Sequence, residues 1–237
     1  KRLEDWKFSD FKEKINKNFD ELDTKFVKSD KEEINLLKDF EHNYIFLING
    51  NLKSSNFDFE EKNKIKITKH NYNNIYQTTE NPLVCLNHAL AENGYSLEVE
   101  KNYKFKKTLV IYNYFTKNVK NKILNFKNNI KICENAEVHI VEYTINDSAF
   151  KFITNTYEKI VLHKNAKLRS LCIQSNKSNG FFHKYLKYDL LYNSDLSNLI
   201  FSSGLKFNKI DIECDMKEEK SSCNILSALS LNKGEHH

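Results

Sequence analysis

Apolar positions in the second half of the chain recur as a ladder. The segment Ala136-Glu137-Val138-His139-Ile140-Val141-Glu142-Tyr143 is echoed by Ala166-Lys167-Leu168-Arg169-Ser170-Leu171-Cys172-Ile173. It returns at 194–201 and again at 221–228. The equivalent positions Val138, Leu168, Leu196 and Cys223 are separated by 30, 28 and 27 residues. A near-constant period of this size marks a solenoid with one coil per repeat. Each period holds two extended apolar stretches and has no space for a long helix, so the coils are predicted to be stacked β-strands. Function is then expected on a long rigid surface rather than in a compact pocket.

Ahead of the coils the period changes. Phe11, Ile15, Phe19, Leu22 and Phe26 recur three or four apart, which predicts an amphipathic helix over 9–40 with Ser9 as N-cap. Tyr44-Ile45-Phe46-Leu47-Ile48 followed by Asn49-Gly50 reads as a buried strand entering a turn. After a polar stretch comes a short helix with clear ends: Asn81 caps it, Pro82 suits its first turn and Gly94 supplies a left-handed exit. Its stripe of Leu83, Leu86 and Leu90 is expected to close the open end of the solenoid, where unpaired β-edges invite association. Strands follow at 96–99 and 108–115. The organisation is therefore an N-terminal helical segment (1–42), a strand-turn and capping-helix region (43–95) and β-helix coils (96–237).

Period-2 alternation assigns faces within the coils. Val141, Leu171, Leu199 and Leu226 match one another, as do Tyr143, Ile173, Phe201 and Ala228. Both ladders are expected inside, each side chain contributing roughly 1.5–3 kcal/mol on burial. Leu171→Ala or Leu199→Ala would then cost about 2–5 kcal/mol. His139, Arg169, Ser197 and Asn224 share that phase at the start of the ladder, near a corner.

Composition narrows the function classes. The 237 residues carry 37 basic against 32 acidic side chains, a net charge of +5 that is small and spread out. A nucleic-acid reading therefore starts weak. The lysines interleaved with aromatics at Tyr103-Lys104-Phe105-Lys106-Lys107 read more simply as a solvated strand face. The mean hydropathy of -0.65 reflects abundant Lys and Asn. The N-terminus has no apolar signal region and no starting Met, and no run approaches membrane-spanning length. The chain reads as soluble and cytoplasmic, and as a piece of a longer one.

Five cysteines, Cys85, Cys133, Cys172, Cys214 and Cys223, are widely spaced with no C-x-x-C pair. They read as reduced thiols, several of them buried as small hydrophobes. Cys172 falls opposite Leu171 and Ile173, on the outer face or in a second layer. Cys223 lies in the Val138 ladder and reads as structural, and the acidic neighbours of Cys214 disfavour its thiolate. His139 and His183 each stand alone, which suggests hydrogen-bonded structural roles. No catalytic residue and no metal ligand is assigned, and cofactor-binding residues are left open.

The chain resembles a known family. Glu4-Asp5-Trp6-Lys7-Phe8-Ser9-Asp10 is similar to the opening E-D-W-[KR]-[YF]-[ST]-[DN] of the SufB/SufD scaffold proteins of SUF iron–sulfur cluster assembly. Leu86-Asn87-His88-Ala89-Leu90-Ala91-Glu92-Asn93-Gly94 resembles their L-N-x-A-L-A-x-[DN]-G segment. Glu134-Asn135-Ala136 and Lys164-Asn165-Ala166 resemble E-x-A turns, and Phe201-Ser202-Ser203-Gly204 and residues 229–237 also align. The spacing is most like SufD, because SufB proteins carry a larger N-terminal region and a Y-V-P-K-G-V that here is only Leu97-Glu98-Val99-Glu100-Lys101-Asn102.

The resemblance implies a right-handed parallel β-helix flanked by helical regions. It implies a non-catalytic SufD-like subunit that pairs with a SufB-like β-helix protein and holds a SufC-like ABC ATPase. An iron–sulfur cluster would form transiently at the partner interface, and none would be bound stably. Family members run on through further coils, a C-terminal helical domain that docks SufC and a Cys-x-His pair. None of these is matched here, so no cluster ligand is carried over. His236-His237 match the start of a His- and Asp-rich family stretch, and a chain ending there is expected to expose a raw β-edge.

The rival reading is a β-helix carbohydrate-active enzyme. Asp211, Glu213 and Asp215 alternate along one strand and fall on one face, as calcium-binding or acid–base carboxylates would. Against it stand the missing secretory signal and the lack of stacked Asn or aromatic platforms.

Overall fold

Each repeat contributes one strand to each of two sheets, because two extended apolar stretches per period must bury against the next coil. The computed structural model describes residues 11–19, 21, 23, 36–69, 81–146, 149–174, 178–232 and 235. One sheet is built from β1 (Asn43–Ile48), β2 (Asn51–Asn56), β5 (Leu109–Phe115), β7 (Glu137–Asn146), β9 (Lys167–Gln174), β11 (Asp195–Ser203) and β13 (Ser222–Ser230). Its order is β13-β11-β9-β7-β5-β1-β2. The other holds β3 (Ile65–Lys69), β4 (Tyr95–Val99), β6 (Ile123–Ile132), β8 (Ile153–Leu162), β10 (Ser178–Leu190) and β12 (Leu205–Met216). Its order is β12-β10-β8-β6-β4-β3.

This is a mainly β solenoid of about four turns. The repeat period sets the register: Val138 pairs with Leu168, Leu168 with Leu196 and Leu196 with Cys223, all in parallel strands. Among the described residues, no helix is long and apolar enough to cross a membrane.

Asparagine turns the corners. Asn102, Asn135, Asn165 and Asn193 have φ of 60°, 58°, 55° and 51°. This left-handed conformation is one that Asn tolerates better than other residues with a Cβ. The amides also stack: Asn135 donates to Asn102 at 2.7 Å, Asn165 to Asn135 at 2.8 Å and Asn193 to Asn165 at 2.8 Å. Stacked Asn are therefore present, contrary to the expectation above. They sit at exposed corners, where an amide both donates and accepts and so links each coil to the next.

The faces are the reverse of the sequence assignment. Val138, Leu168 and Leu196 are fully buried, whereas Leu199 is 42% exposed and Leu226 57% exposed. Phe201 also faces outward. The interior phase of β7 is Val138-Ile140-Glu142-Thr144, and that of β9 is Leu168-Ser170-Cys172-Gln174. Both faces of this sheet are rich in apolar residues, so alternation alone could not tell inside from outside.

Four further expectations change. α1 covers only Phe11–Asn18, after which Phe19 packs among Leu83, Ile123, Phe181 and Phe207 and Asp23 bridges to Lys122. Ser9, Leu22 and Phe26 lie outside the described residues. The polar stretch forms β2 and β3, paired antiparallel to β1 and β4. Asn49 and Gly50, with φ of 49° and 80°, make the two-residue turn that brings β2 back on β1. It is β2 and β3, not the helix, that form the far strands of the two sheets.

α2 (Pro82–Leu90) starts as expected, with Asn81 accepting from the amides of Leu83 and Val84. It buries Leu83, Val84 and Asn87 and leaves Leu90 exposed, because it lies across β6 and β8 on the flank of the solenoid. It ends at Ala91 in extended backbone. Gly94 (φ 131°) instead allows close approach, since a Cβ there would meet the Lys127 carbonyl oxygen at 2.0 Å.

Candidate functional site

The interior is layered along the strands. At one end, Ile132, Leu162, Leu190, Val138, Leu168 and Leu196 make a dry apolar stack. At the other, Phe115, Phe126, Phe152 and Phe182 form an aromatic cluster. Between them lies a polar belt that no single repeat displays. Lys184 of β10 hydrogen-bonds Glu142 of β7 and lies 3.4 Å from Glu158 of β8. Asn113 donates to Glu142 at 2.8 Å and Asn128 to Glu158 at 3.2 Å. Ser170 donates to Asn198, which donates to the hydroxyl of Tyr188.

In this belt the Lys184 ammonium faces two carboxylates. Burial disfavours the Lys184 ammonium, but Glu142 and Glu158 outweigh it and hold Lys184 well above its ordinary range. One cation cannot neutralise two carboxylates. Burial therefore pushes Glu158 up, against the pull of Lys184, so it retains a proton more readily than an exposed Glu. The thiol of Cys172 lies against Glu142 and Lys184, and burial pushes it far above the ordinary thiol range. It is a protonated core group, inside the solenoid and not on the outer face or in a second layer. The adjoining cavity, lined by Ile140, Glu158, Cys172 and Tyr188 among others, has a volume of about 30 Å³, the scale of a single water.

A second polar network lies outside the six-stranded sheet, beneath α2. His183 Nδ1 is 2.9 Å from Asn155 Oδ1 and its Nε2 is 3.0 Å from Asp211 Oδ2. Asn155 donates to the carbonyl of Leu83 and to Asn125, while Asn87 donates to the carbonyls of Phe126 and Asn155. Burial pulls His183 below its ordinary range, against the opposing pull of Asp211. Asp211 is raised by burial but more strongly lowered by His183 and Lys209. His183 thus has partners on both nitrogens, and Asn155 and Asn87 fasten the helix to the sheet.

The carboxylates that carried the enzyme reading do share a face, but each is engaged. Asp211 meets His183 and Lys209, Glu213 meets Tyr185 and Lys187, and Asp215 meets Lys187 at 2.7 Å. Among the described residues, no three His, Cys, Asp or Glu converge as a metal site would require. His139 is exposed, 3.7 Å from Glu137. Of the cysteines, Cys172 alone is buried; Cys85 is exposed and Cys133, Cys214 and Cys223 are half-buried. Cys214 and Cys223 are brought into contact at 3.4 Å.

Glu142, Glu158 and Lys184 escaped sequence reasoning. The available signal was a charged residue on the phase that also carries Val138 and Ile140, and it was masked by the apolar outer face.

A family model described as the SUF system FeS cluster assembly, SufBD core domain, matches residues 115–237. These residues run from the end of β5 through the last coil. No curated protein matches the chain.

Proposed function

The chain belongs to the SufBD core family of SUF iron–sulfur cluster assembly, and from that membership we propose that it is a SufD-like scaffold subunit. In this reading it pairs with a SufB-like β-helix protein and works with a SufC-like ABC ATPase, which performs the only catalysis. The nascent cluster is cargo, handled at the partner interface and in the support of iron acquisition.

The family match over the stacked coils is the observation that carries the reading. The build of the coils supports it. Two parallel sheets closed over a packed interior make a rigid body, and the interior cavities next to the polar belt are water-sized, about 30 Å³ each. Apolar residues available to a partner lie on the outer face: Leu199 and Phe201 on β11 and Leu226 on β13. Among the described residues none of the five cysteines is in a disulfide, which suits a reducing cytoplasm.

Co-expression of the full reading frame with its genomic neighbours, followed by size exclusion with light scattering, tests the proposal. A stoichiometric complex with an ABC-type ATPase and a second β-helix protein is the expected result. A lone monomer that binds no ATPase when ATP is present would reject it.

A further inference from the structure

A turn of charged residues separates Cys214 from Cys223 in sequence, and the fold brings their sulfurs together. Cys214 stands on the inward phase of β12, paired with Tyr188 of β10. Cys223 stands on the inward phase of β13, paired with Leu196. These strands belong to opposite sheets, so the two side chains meet across the interior of one coil. Cys214 Sγ lies 3.4 Å from Cys223 Sγ and donates its S–H toward it. Both side chains pack against the main core cluster. A disulfide requires sulfurs about 2.05 Å apart, so forming one draws the two sulfurs closer than this contact.

The corner between them is already tied. Lys217 N donates to the Leu190 carbonyl at 2.9 Å, Asn193 N to the Glu219 carbonyl at 3.1 Å and Ser222 N to the Ser194 carbonyl at 2.8 Å. The thiols are therefore held near each other before any bond forms, which favours intramolecular reaction over external capture. They are not equivalent. Burial first, then the hydrogen bond to Cys223, pushes the Cys214 thiol up to about 12. Cys214 thus keeps its proton, and Cys223, which accepts it in the hydrogen bond, is the attacking sulfur.

We propose that Cys214 and Cys223 form a redox-modification site, converted reversibly to an intrachain disulfide by low-molecular-weight disulfides. The Cys223 thiolate attacks one sulfur of the reagent RSSR, whose S–S bond breaks to release RS⁻. Cys214 then loses its proton to that RS⁻, and its sulfur attacks Cys223 Sγ and expels the second RS⁻. The proton first lost by Cys223 protonates this thiolate. Two protein thiols are oxidised, and RSSR is reduced to two RSH. Transient disulfides of this kind are the form that redox sensing takes in reducing compartments. The site stands on this geometry alone, whatever the identity of the partner subunits.

The test uses the reduced, full-length protein incubated with oxidised glutathione, quenched in acid, alkylated with N-ethylmaleimide and digested for mass spectrometry. The expected product joins Cys214 to Cys223, lighter than the dithiol by two hydrogen atoms, and dithiothreitol restores both thiols. Cys172, protonated and buried, is the internal control and stays unmodified. Cys214→Ser is expected to trap glutathione on Cys223, and Cys223→Ser to leave Cys214 reduced. The proposal is overturned if both thiols of the parent protein remain alkylatable, if glutathione stays on either one, or if the link joins two chains. The parent measurement decides the matter even where a variant folds poorly.

Discussion

Asn165 Nδ2 donates to Asn135 Oδ1 at 2.8 Å, although 30 residues separate them, and both keep a left-handed backbone. One residue type thus serves the corner twice, by conformation and by its amide. Asn165→Gly keeps the conformation and loses the side-chain bonds, at a cost of about 1 kcal/mol. Asn165→Ala adds the strain of a Cβ in the left-handed region, roughly 1–2 kcal/mol more. Equilibrium denaturation of both variants checks this, and equal losses would mean that the backbone strain is not felt.

Burial now assigns the core ladder to Leu168 and Leu196. Leu168→Ala and Leu196→Ala are expected to cost about 2–5 kcal/mol each. Leu199→Ala and Leu226→Ala, on the exposed face, are expected to cost about 0.5 kcal/mol or less. Urea titration ranks the four, and a large loss at Leu226 would contradict the face assignment.

Among the described residues, Lys184 is the sole cation bonded to Glu142 and Glu158 inside the solenoid. Lys184→Met leaves both carboxylates buried without it and is expected to cost about 3–5 kcal/mol at neutral pH. That deficit shrinks in acid as Glu158 protonates. Glu158 itself, raised above its ordinary 4.5, binds its proton more tightly in the folded state. Its contribution to stability is therefore full below pH 4.5 and lost as pH rises through the folded-state value. Glu158→Gln removes this dependence, so the difference between variant and parent in thermal melts should grow in the variant's favour from acid to neutral pH. A difference that does not change with pH would refute the shift.

Glu60 shows the opposite sign. Its carboxylate accepts from the Tyr103 hydroxyl at 2.7 Å, the Asn43 amide at 2.7 Å and the backbone N–H groups of Lys106 and Lys107 at 3.1 Å. Burial raises it, but these bonds together hold it below the usual carboxylate range. Its stabilisation is present above the unfolded value of about 4.5 and disappears as pH falls through the lower folded value. Glu60→Ala strands these donors and is expected to cost roughly 2–4 kcal/mol. Chemical denaturation at pH 7 and at pH 3 checks it, with a smaller penalty at pH 3.

The coil period, the strand register and the start of α2 are all present in local sequence, because each depends on spacing or on one cap. The Val138–Leu168–Leu196–Cys223 spacing is the coil spacing, and Asn81-Pro82 starts α2 through a local cap. β2 escaped notice because Asn51-Leu52-Lys53-Ser54-Ser55-Asn56 has little intrinsic strand preference. It is a strand because the Asn49-Gly50 turn lays it beside β1.

Which face of each strand points inward, and what fills the interior, only the tertiary structure decided. Leu171, Leu199 and Leu226 look like core, and Glu142 and Lys184 do not. Yet Glu142 and Lys184 stand inside, because charges from different coils satisfy one another there while the apolar ladder is left outside. The Cys214–Cys223 contact has the same origin. It joins opposite sheets across the interior, and such a juxtaposition exists only once the corner between β12 and β13 has laid the two strands over each other.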